Sequence, residues 1–589
     1  HSSLVKNIHM AVEANGKKIV IQLQGEDVNL VRSPLLLNAL PAGWRCQGND
    51  SIQLKAESKE QDVWDVKGMI GLKALAFQNQ EGTIAGEKID LVANTAGIID
   101  LRRNKTEFHA SLEAKKGELL YDRFYLNLNQ TPLLLSTEGQ YESEKGLLSL
   151  SSAKMVLEGI LPLRAHGQLR HSNRDPQIDL SVELPDTPLK GLFHHFVLEP
   201  FKTETPFLSR LTMSGNISGD FRIRYGSKDS SVKGQCLWRG GDLSFNDGAF
   251  SFKGIYLNLP IWYRDSGSPF LPGKGRKGVR TGFPTTEDSL EGRLTIDSIV
   301  LPLLPEQSLT IPLEVKPNQL FIRSGIPVRL TSGHLSLGPL VASDIFGPGL
   351  LIDTSLIFDT LALSPLLSQI GSPVTQGTLS GKLSPLHYEK REVTTQGEVK
   401  VNVFGGELII SDVAASGIFT PAPVFRLSAR WDDMDLAGMT TGTSFGKIEG
   451  VLRGYIHDLE MAYGQPQGFD LLLETVKKAG ISQRISIKAV ENIAQIGGGQ
   501  SPFMGLAGTF AAFFKNFPYE KIGIHASLGN DVFQINGTVK EDGVEYLVKR
   551  GSFSGVNVVN QNPDNRIRFK DMVKRIKRIT ASKGKPVIK

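Results

Sequence analysis

The sequence predicts a mainly β protein: an elongated, coiled antiparallel sheet that forms an open hydrophobic groove and carries a few short amphipathic helices. Three observations predict this class. Apolar and polar residues alternate in many short segments, clusters of Gly, Asn, Asp and Ser interrupt these segments, and strands do not alternate regularly with helices. A period of two is typical of strands with one apolar face, and frequent turn residues favour antiparallel meanders over a parallel α/β sheet.

Individual strands follow from this alternation. The segment KIVIQLQ places Ile19, Ile21 and Leu23 on one face, and IDLSVEL, from Ile178 to Leu184, has the same pattern. The segment FRLSARW, which begins at Phe425, alternates large apolar residues with Arg and Ser. Because successive side chains of a strand point to opposite faces, each segment is expected to have one apolar and one wet face.

Glycine is abundant, with 61 residues, and part of it falls in a repeat. The segments that begin SGNISG and QGTLSG align so that their glycines coincide, and a related opening occurs at Gly82–Gly86 and Gly446–Gly450. Glycine inside a strand is typical of a bulge, a sharp coil or a close backbone approach. The alternative is that these glycines only form turns. The aligned positions are Gly215 with Gly377, Gly219 with Gly381, Gly234 with Gly397, and Gly240–Gly241 with Gly405–Gly406.

Two segments predict short helices. In TPLKGLFHHF, the residues Leu189, Leu192, Phe193 and Phe196 lie on one side of a helical projection. The segment LSPLLSQIG begins with Ser-Pro, which is typical of a helix start.

A third helix is predicted in the phenylalanine-rich segment between Gly497 and Lys521. Its wide apolar stripe suits a lid that lies over the groove and contacts lipid. The alternative is a cap on the last strands, with its phenylalanines in the core. The stripe consists of Phe503, Leu506, Phe510, Phe513, Phe514 and Phe517.

A basic amphipathic helix is predicted near the end of the chain. Ten Lys or Arg residues and one acidic residue lie between Arg566 and Lys589, whereas the whole chain has a net charge of +5. Such a helix suits an anionic membrane surface or an acidic partner; the alternative is a packed cap with a solvated face. Its apolar residues are Phe569, Met572, Val573 and Ile576, and its basic residues are Lys570, Lys574, Arg575, Lys577 and Arg578.

Composition excludes several classes of protein. The 589 residues include no run of about 20 apolar residues that could cross a bilayer. No basic stripe occurs before the C-terminal segment, so nucleic acid is not an expected partner. Cys46 and Cys236 are the only cysteines, which is too few for a disulfide scaffold and leaves their pairing open. Residues 1–10 are interpreted as the remnant of a tag or linker. Such a remnant is compatible with the removal of a native targeting segment or membrane anchor at this point.

Motifs for chemistry are weak. Ser444 lies in GTSFG, which matches a nucleophile elbow, but the segment after it has the pattern of a strand and not of the required helix. GKGRKG, at Gly273–Gly278, fits GxGxxG without a βαβ frame. His194 and His195 are neighbours and would point about 100° apart on a helix, so they are poorly placed to share a metal. The sequence therefore predicts no enzyme, metal or cofactor.

The predicted apolar face must be covered by something. Either a second sheet closes a sandwich, or the groove stays open and takes an apolar ligand. Roughly 30 strands spaced ~4.8 Å apart would extend about 140 Å. A tail of about sixteen carbons costs on the order of 13 kcal/mol to expose to water, at ~0.8 kcal/mol per methylene. An open groove would therefore remove most of the barrier to lipid movement between two membranes.

The last third of the chain resembles AsmA-like envelope proteins, most closely the YdbH-type branch, with TamB and YhdP as more distant relatives. The resemblance covers about 377–579 and rests on the order of its blocks. These are GKIEGVLRGYIHDLE, PQGFDLLLETV, RISIKAVENIAQIGGG, the phenylalanine-rich helix, YEKIGIHASLGNDVFQINGTV, EYLVKRGSFSGVNVVNQNP and RIRFKDMVKRIKRI.

The resemblance implies a periplasmic β groove that carries phospholipid between the inner and outer membranes. It also implies an inner-membrane anchor and an outer-membrane lipoprotein or β-barrel partner at the C-terminal end. The groove is expected to have an N-terminal part at 11–263, a long loop at 264–292 and a C-terminal part at 293–589. The alternative function, from another class, is an assembly module that supports outer-membrane protein insertion through strand-edge pairing.

Overall fold

The computed structural model describes residues 8–15, 18–29, 43–60, 62–171, 176–226, 229–245, 248, 250–265, 289–302, 304–368, 376–418, 420, 422–441, 443–499, 516–552 and 554–574. Within them the fold is mainly β with antiparallel strand pairs, which confirms the predicted class. The chain divides into two compact units. Unit 1 comprises His1–Pro302 and Glu306–Arg323, and unit 2 comprises Leu303–Pro305 and Ser324–Lys589.

The strands of unit 1 are numbered in chain order. They are β1 (Ile8–Asn15), β2 (Lys18–Asn29), β3 (Arg45–Glu60), β4 (Val63–Gln78), β5 (Ile84–Asp100), β6 (Lys105–Tyr121), β7 (Phe124–Asn127), β8 (Leu133–Glu142), β9 (Leu147–Leu157), β10 (Leu161–Arg170), β11 (Gln177–Pro188), β12 (Leu211–Met213), β13 (Asn216–Tyr225), β14 (Ser230–Phe245), β15 (Phe250–Asp265), β16 (Leu290–Val300), β17 (Gln307–Lys316) and β18 (Gln319–Ile322).

Unit 1 is an antiparallel meander, as the frequent turn residues predicted. Most strands pair with the next strand along the chain, while β6 pairs with both β7 and β8, and β11 pairs with β13. The first strand contains Ile8–Met10, which belong to the segment interpreted as a tag remnant, and pairs with β2. The loop predicted at 264–292 is wrong at both ends, because residues 264–265 belong to β15 and residues 290–292 to β16; residues 266–288 are outside the described residues.

The strands of unit 2 continue the same numbering. They are β19 (Ile326–Leu330), β20 (Gly333–Leu337), β21 (Leu340–Ser343), β22 (Leu351–Ala362), β23 (Thr378–Glu389), β24 (Glu392–Val403), β25 (Gly406–Ser416), β26 (Val424–Asp435), β27 (Ile448–Glu449), β28 (Val451–Ala462), β29 (Gln465–Val476), β30 (Arg484–Ser486), β31 (Asn516–Gly529), β32 (Val532–Gly537), β33 (Val539–Glu541), β34 (Val544–Arg550), β35 (Val558–Val559) and β36 (Arg566–Arg568).

Unit 2 begins as a meander and ends in a more branched arrangement. Strands β22 to β26 pair in succession, and the ladder goes on through β28, β29 and β31. Strand β31 then pairs with β30, β32 and β34 along different parts of its length. This branching allows the C-terminal strands to enclose a core rather than extend a single layer.

Both of the short helices that the described residues test are present. The first is α1 (Leu189–Phe193), which continues through a π-helical stretch at His194–Leu198 into α2 (Glu199–Phe201). The second is α3 (Leu363–Ser368). Phe193 is buried, in agreement with its place on the predicted apolar side.

Two further helices in unit 2 were not predicted, α4 (Leu436–Thr440) and α5 (Ile487–Ile496). The hydroxyl of Ser486 caps α5 by accepting a 3.3 Å hydrogen bond from the backbone N–H of Ala489. One face of α5 packs into the largest buried cluster of unit 2. That cluster, the C-terminal core, includes Val490, Ile493, Ile535, Leu547 and Met572, all between 0% and 2% exposed.

The glycine repeat has a structural cause. A Cβ atom at Gly234 would collide with the carbonyl oxygen of Asp220 on the facing strand, and one at Gly381 would collide with that of Glu398. A side chain at either position would therefore push neighbouring strands apart, as expected for a close backbone approach. At Gly240 the alternative interpretation applies, in which glycine only forms a turn, because a Cβ atom at this position would have no neighbouring atom within 4 Å.

The repeat also holds the short helices in place. Gly215 and Gly377, which align in the sequence, accept backbone hydrogen bonds of 2.9 and 3.0 Å from Leu189 and Leu363. Each of these leucines is the first residue of a helix that follows a strand. Gly450 accepts an equivalent 3.0 Å bond from Leu436 at the start of α4. The structure thus extends the repeated unit to a third strand-helix-strand segment.

Candidate functional site

The apolar faces of β3 to β11 in unit 1 line up across the sheet. Residues that share this face pair directly from strand to strand, and they form three rows that run across the strands. We name the middle one the floor row and its flanks the first and second ridges. The floor row is Gly68, Thr95, Ala110, Thr137, Ala153 and Ala165; the first ridge is Ile70, Ala93, Leu112, Leu135, Met155 and Leu163; the second ridge is Phe108 and Leu150, with Gly97, Gly139 and Gly167 beside them.

The floor row, the first ridge, Phe108 and Leu150 line an open trough with a volume of about 780 Å³. It extends from Ile52 on β3 to Val182 on β11. Eight paired strands about 4.8 Å apart give it a length of roughly 34 Å. The trough is accessible to solvent, because Leu54 and Ile70 are 37% and 44% exposed. An accessible apolar concavity of this size is typical of a ligand site rather than of a core.

One side of the trough rests on a packed core. Ile89, Ala114 and Leu128 are between 0% and 3% exposed and form a small buried cluster. Leu133 packs against this cluster and is the neighbour, along the same face of β8, of the first-ridge residue Leu135. The first ridge is therefore adjacent to a packed core at Leu133.

The opposite face of the same sheet is polar. Arg222 donates hydrogen bonds from Nε and Nη2 to the two carboxylate oxygens of Asp179, both at 2.9 Å, and this pair lowers the pKa of the Asp179 carboxyl. The Nδ1 atom of His109 lies 3.3 Å from a carboxylate oxygen of Glu138. Such exposed pairs contribute little stability individually. They make this face the more polar of the two, although Val92 and Ile98 are 41% and 39% exposed on it.

The floor row contains one polar atom that lacks a partner. The Thr137 hydroxyl is buried and makes no hydrogen bond within the described structure. Burying an unpaired hydroxyl costs about 1–3 kcal/mol.

We expect Thr137→Val to raise the free energy of unfolding by about 1 kcal/mol, because the substitution removes the unpaired hydroxyl and keeps the branched shape. Urea unfolding measures the change. Thr95→Val is the matched control in the same row, because Thr95 is exposed and water can reach its hydroxyl. A gain no larger at Thr137 than at Thr95 would contradict the prediction.

The predicted lid residues lie mostly outside the described residues, including Phe503, Leu506, Phe510, Phe513 and Phe514. The sixth, Phe517, is in β31 and not in a helix, so the predicted helix is wrong at this end. Its backbone pairs with Ile485, and its side chain packs against the C-terminal core. Pairing with β30 at Phe517 and at its chain neighbours Asn516 and Pro518 outweighs the local helical pattern.

The basic terminal helix is confirmed over its first turns, at 569–574. Met572 is 1% exposed and Phe569 packs against the C-terminal core, while Lys570 and Lys574 are exposed. Val573 is half-buried. These turns form a packed cap with a solvated face, which was the alternative to a membrane-bound helix. Arg575, Ile576, Lys577 and Arg578 lie outside the described residues.

Among the weak chemical motifs, GKGRKG at Gly273–Gly278 lies outside the described residues, and the others do not assemble into a site. Ser444 lies in a turn followed by β27 and β28, so the helix of a nucleophile elbow is missing there. The rings of His194 and His195 meet edge to face, 5.0 Å apart, and burial lowers the pKa of His195. Across the described ranges, no three or more His, Cys, Asp or Glu side chains come close enough to hold a metal ion.

The remaining features concern thiols and membrane spans. Cys46 and Cys236 are both free and half-buried, and burial raises the pKa of each thiol. In the part of the chain that the structure describes, no helix has the length and apolar character needed to cross a bilayer.

No known protein-family model matches this chain, and no curated protein matches it either. The functional argument therefore rests on the trough and on the sequence itself.

Proposed function

We propose that this protein carries phospholipid and is not an enzyme, with acyl tails held in the trough of unit 1 and headgroups in solvent. The single observation that carries the proposal is the largely apolar lining of the trough, which extends across eight paired strands and is accessible to solvent. Covering such rows with hydrocarbon is favourable by ~25 cal/mol per Å² of apolar surface. Contact with the trough therefore offsets part of the free energy that a lipid tail loses on leaving a bilayer.

The resemblance of the last third of the chain to AsmA-like envelope proteins supports a cellular location for this function. We propose that the protein acts in the periplasm of the cell envelope, between the inner and outer membranes. Its proposed partners are phospholipid, the inner membrane through an anchor, and an outer-membrane lipoprotein or β-barrel at the C-terminal end.

The packing of unit 2 supports a division of labour. Part of its apolar surface is buried, with Leu383, Val399 and Val401 between 5% and 7% exposed, whereas Phe425 on β26 is 51% exposed. Helix α5 and the terminal turns pack onto the C-terminal core. We propose that unit 1 holds lipid and that the C-terminal part of unit 2, with its packed core, contacts a partner. The lid role of the phenylalanine-rich segment stays a prediction.

Lipid extraction from the purified full chain, followed by mass spectrometry, tests the proposal. We expect phospholipid at one or more molecules per chain, because the trough is roughly 34 Å long. Photo-crosslinking from Leu54 and Ile70 should label this lipid, whereas crosslinking from Asn94 on the polar face should not. Absence of lipid, together with crosslinks to a β-barrel or lipoprotein, would favour the assembly module instead.

A further inference from the structure

The polar face of unit 1 carries a row of directly paired residues across β10, β11, β13, β14 and β15. The row runs from Gln168 through Asp179, Arg224 and Ser231 to Arg264. Arg224 and Arg264 therefore lie two strands apart, roughly 10 Å, with Ser231 between them. We name these three residues the arginine cleft. A short side chain between two long cationic ones leaves an open space that both guanidinium groups can reach.

The carboxylates of this region neutralise the arginine cleft only in part. Both oxygens of Asp179 accept 2.9 Å hydrogen bonds from Arg222, while the Nε atom of Arg224 lies 3.7 Å from this carboxylate. The Nη2 atom of Arg264 lies 3.4 Å from a carboxylate oxygen of Asp229. Three guanidinium groups thus share two carboxylates, and most N–H donors of the arginine cleft have no partner among the described residues.

Two further features of the same face favour an anionic ligand. The Nζ atom of Lys233, on the same strand as Ser231, lies 4.3 Å from the centre of the Trp262 ring. This contact holds an ammonium group near the arginine cleft without neutralising its charge. The arginine cleft also lines a cavity of about 550 Å³, whose lining includes a further cation, Arg170. A volume of this order is typical of a site for a small ligand.

We propose that the arginine cleft binds a phosphate group, with Arg224 and Arg264 on opposite sides and the Ser231 hydroxyl beneath it. A guanidinium group can donate two parallel N–H bonds to two oxygens of one anion. Two such groups on opposite sides require more than two oxygens, which a tetrahedral phosphate has and a planar carboxylate lacks. A soluble phosphomonoester and an anionic lipid headgroup both present these oxygens. The site lies on the face opposite the trough, so it does not depend on lipid in the trough.

Isothermal titration calorimetry of the purified full chain with inorganic phosphate tests the inference. We expect phosphate to bind, and acetate to bind at least about tenfold more weakly. Arg224→Gln and Arg264→Gln should each weaken phosphate binding about tenfold, as expected for the loss of a charge-assisted hydrogen bond. Arg239→Gln removes the same charge from β14 outside the arginine cleft and should change phosphate binding less than twofold.

Ser231→Glu keeps the test independent of folding. Its carboxylate would lie between the two guanidinium groups in place of phosphate, so the variant should keep its circular dichroism spectrum and bind phosphate at least about tenfold more weakly. No binding of phosphate by the wild type, equal binding of acetate and phosphate, or unchanged phosphate binding by Arg224→Gln and Arg264→Gln would each overturn the inference.

Glycerol phosphate and dihexanoyl phosphatidic acid carry the same phosphomonoester and distinguish the two sources of the ligand. Equal affinity for both would support a soluble phosphate. Tighter binding of the lipid, weakened by Arg224→Gln, would support a headgroup. Because these substitutions lie on the polar face, loss of phosphate binding with unchanged phospholipid content would separate this site from the trough.

Discussion

Leu135→Asp is expected to reduce phospholipid binding to the purified chain by more than about a hundredfold. Leu135 lies in the first ridge and lines the trough, between Leu112 and Met155 on the paired strands. A lipid tail that covers a carboxylate at this position removes it from water, which costs several kcal/mol per ion when no partner compensates it. A loss of about 2.8 kcal/mol already corresponds to a hundredfold weaker affinity.

The matched control is Ser136→Asp, the next residue on the same strand. Its side chain points to the polar face because successive residues of a strand alternate. Both variants carry the same charge at nearly the same place in the chain, so general electrostatic effects on the sheet are shared. Lipid binding is measured by extraction and mass spectrometry, and folding by circular dichroism. Equal lipid content in the two variants would show that lipid does not lie on the apolar face.

The fold class could be predicted from the sequence because alternation is a local property. Ile19, Ile21 and Leu23 do lie on one face of β2, and the glycines in the repeat do permit close strand approach at Gly234 and Gly381. Each of these features depends on neighbours within a few residues or on a turn that joins adjacent strands.

The floor row could not be predicted, because it depends on register between strands. The order large, small, large on β6 is visible in the sequence at Phe108, Ala110 and Leu112, but a row appears only when Ala110 meets Thr137 and Thr137 meets Ala153. A shift of one residue on any strand would turn its small residue to the polar face. Bulges, such as the one between Glu138 and Gly139, adjust this register where no local pattern indicates it.

Helix α5 is the opposite case, because its sequence does contain a helical signal. Ser486 is a good N-cap residue, and Ala489, Val490, Ile493 and Ala494 repeat with the spacing of a helical face. The strand patterns on either side of this segment favoured a β interpretation, so α5 was not predicted. The phenylalanine-rich pattern that follows it predicted a helix that reached Phe517. Phe517 lies in a strand because β30 and β31 pair through Ile485, a contact that helical periodicity cannot indicate.

Ile493→Ala should lower the free energy of unfolding of unit 2 by about 3 kcal/mol. Ile493 is 2% exposed on α5 and belongs to the C-terminal core. Truncating a buried aliphatic side chain costs about 2–5 kcal/mol, through lost transfer energy and the cavity left behind. The loss is expected to reach β31 as well, because Ile522, Ala526 and Leu528 of that strand share the same cluster.

Lys488→Ala on the same helix is the control, because Lys488 is exposed and its replacement is expected to change stability by less than about 0.5 kcal/mol. Hydrogen exchange resolves the effect by segment: amides of α5 and β31 should exchange faster in Ile493→Ala, while those of β6 and β8 in unit 1 should not. Because phospholipid binding is assigned to unit 1, it should survive this substitution and be lost in Leu135→Asp. A chain in which Ile493→Ala abolished phospholipid binding without affecting unit 1 exchange would place the lipid against α5, and the trough would then not be the site.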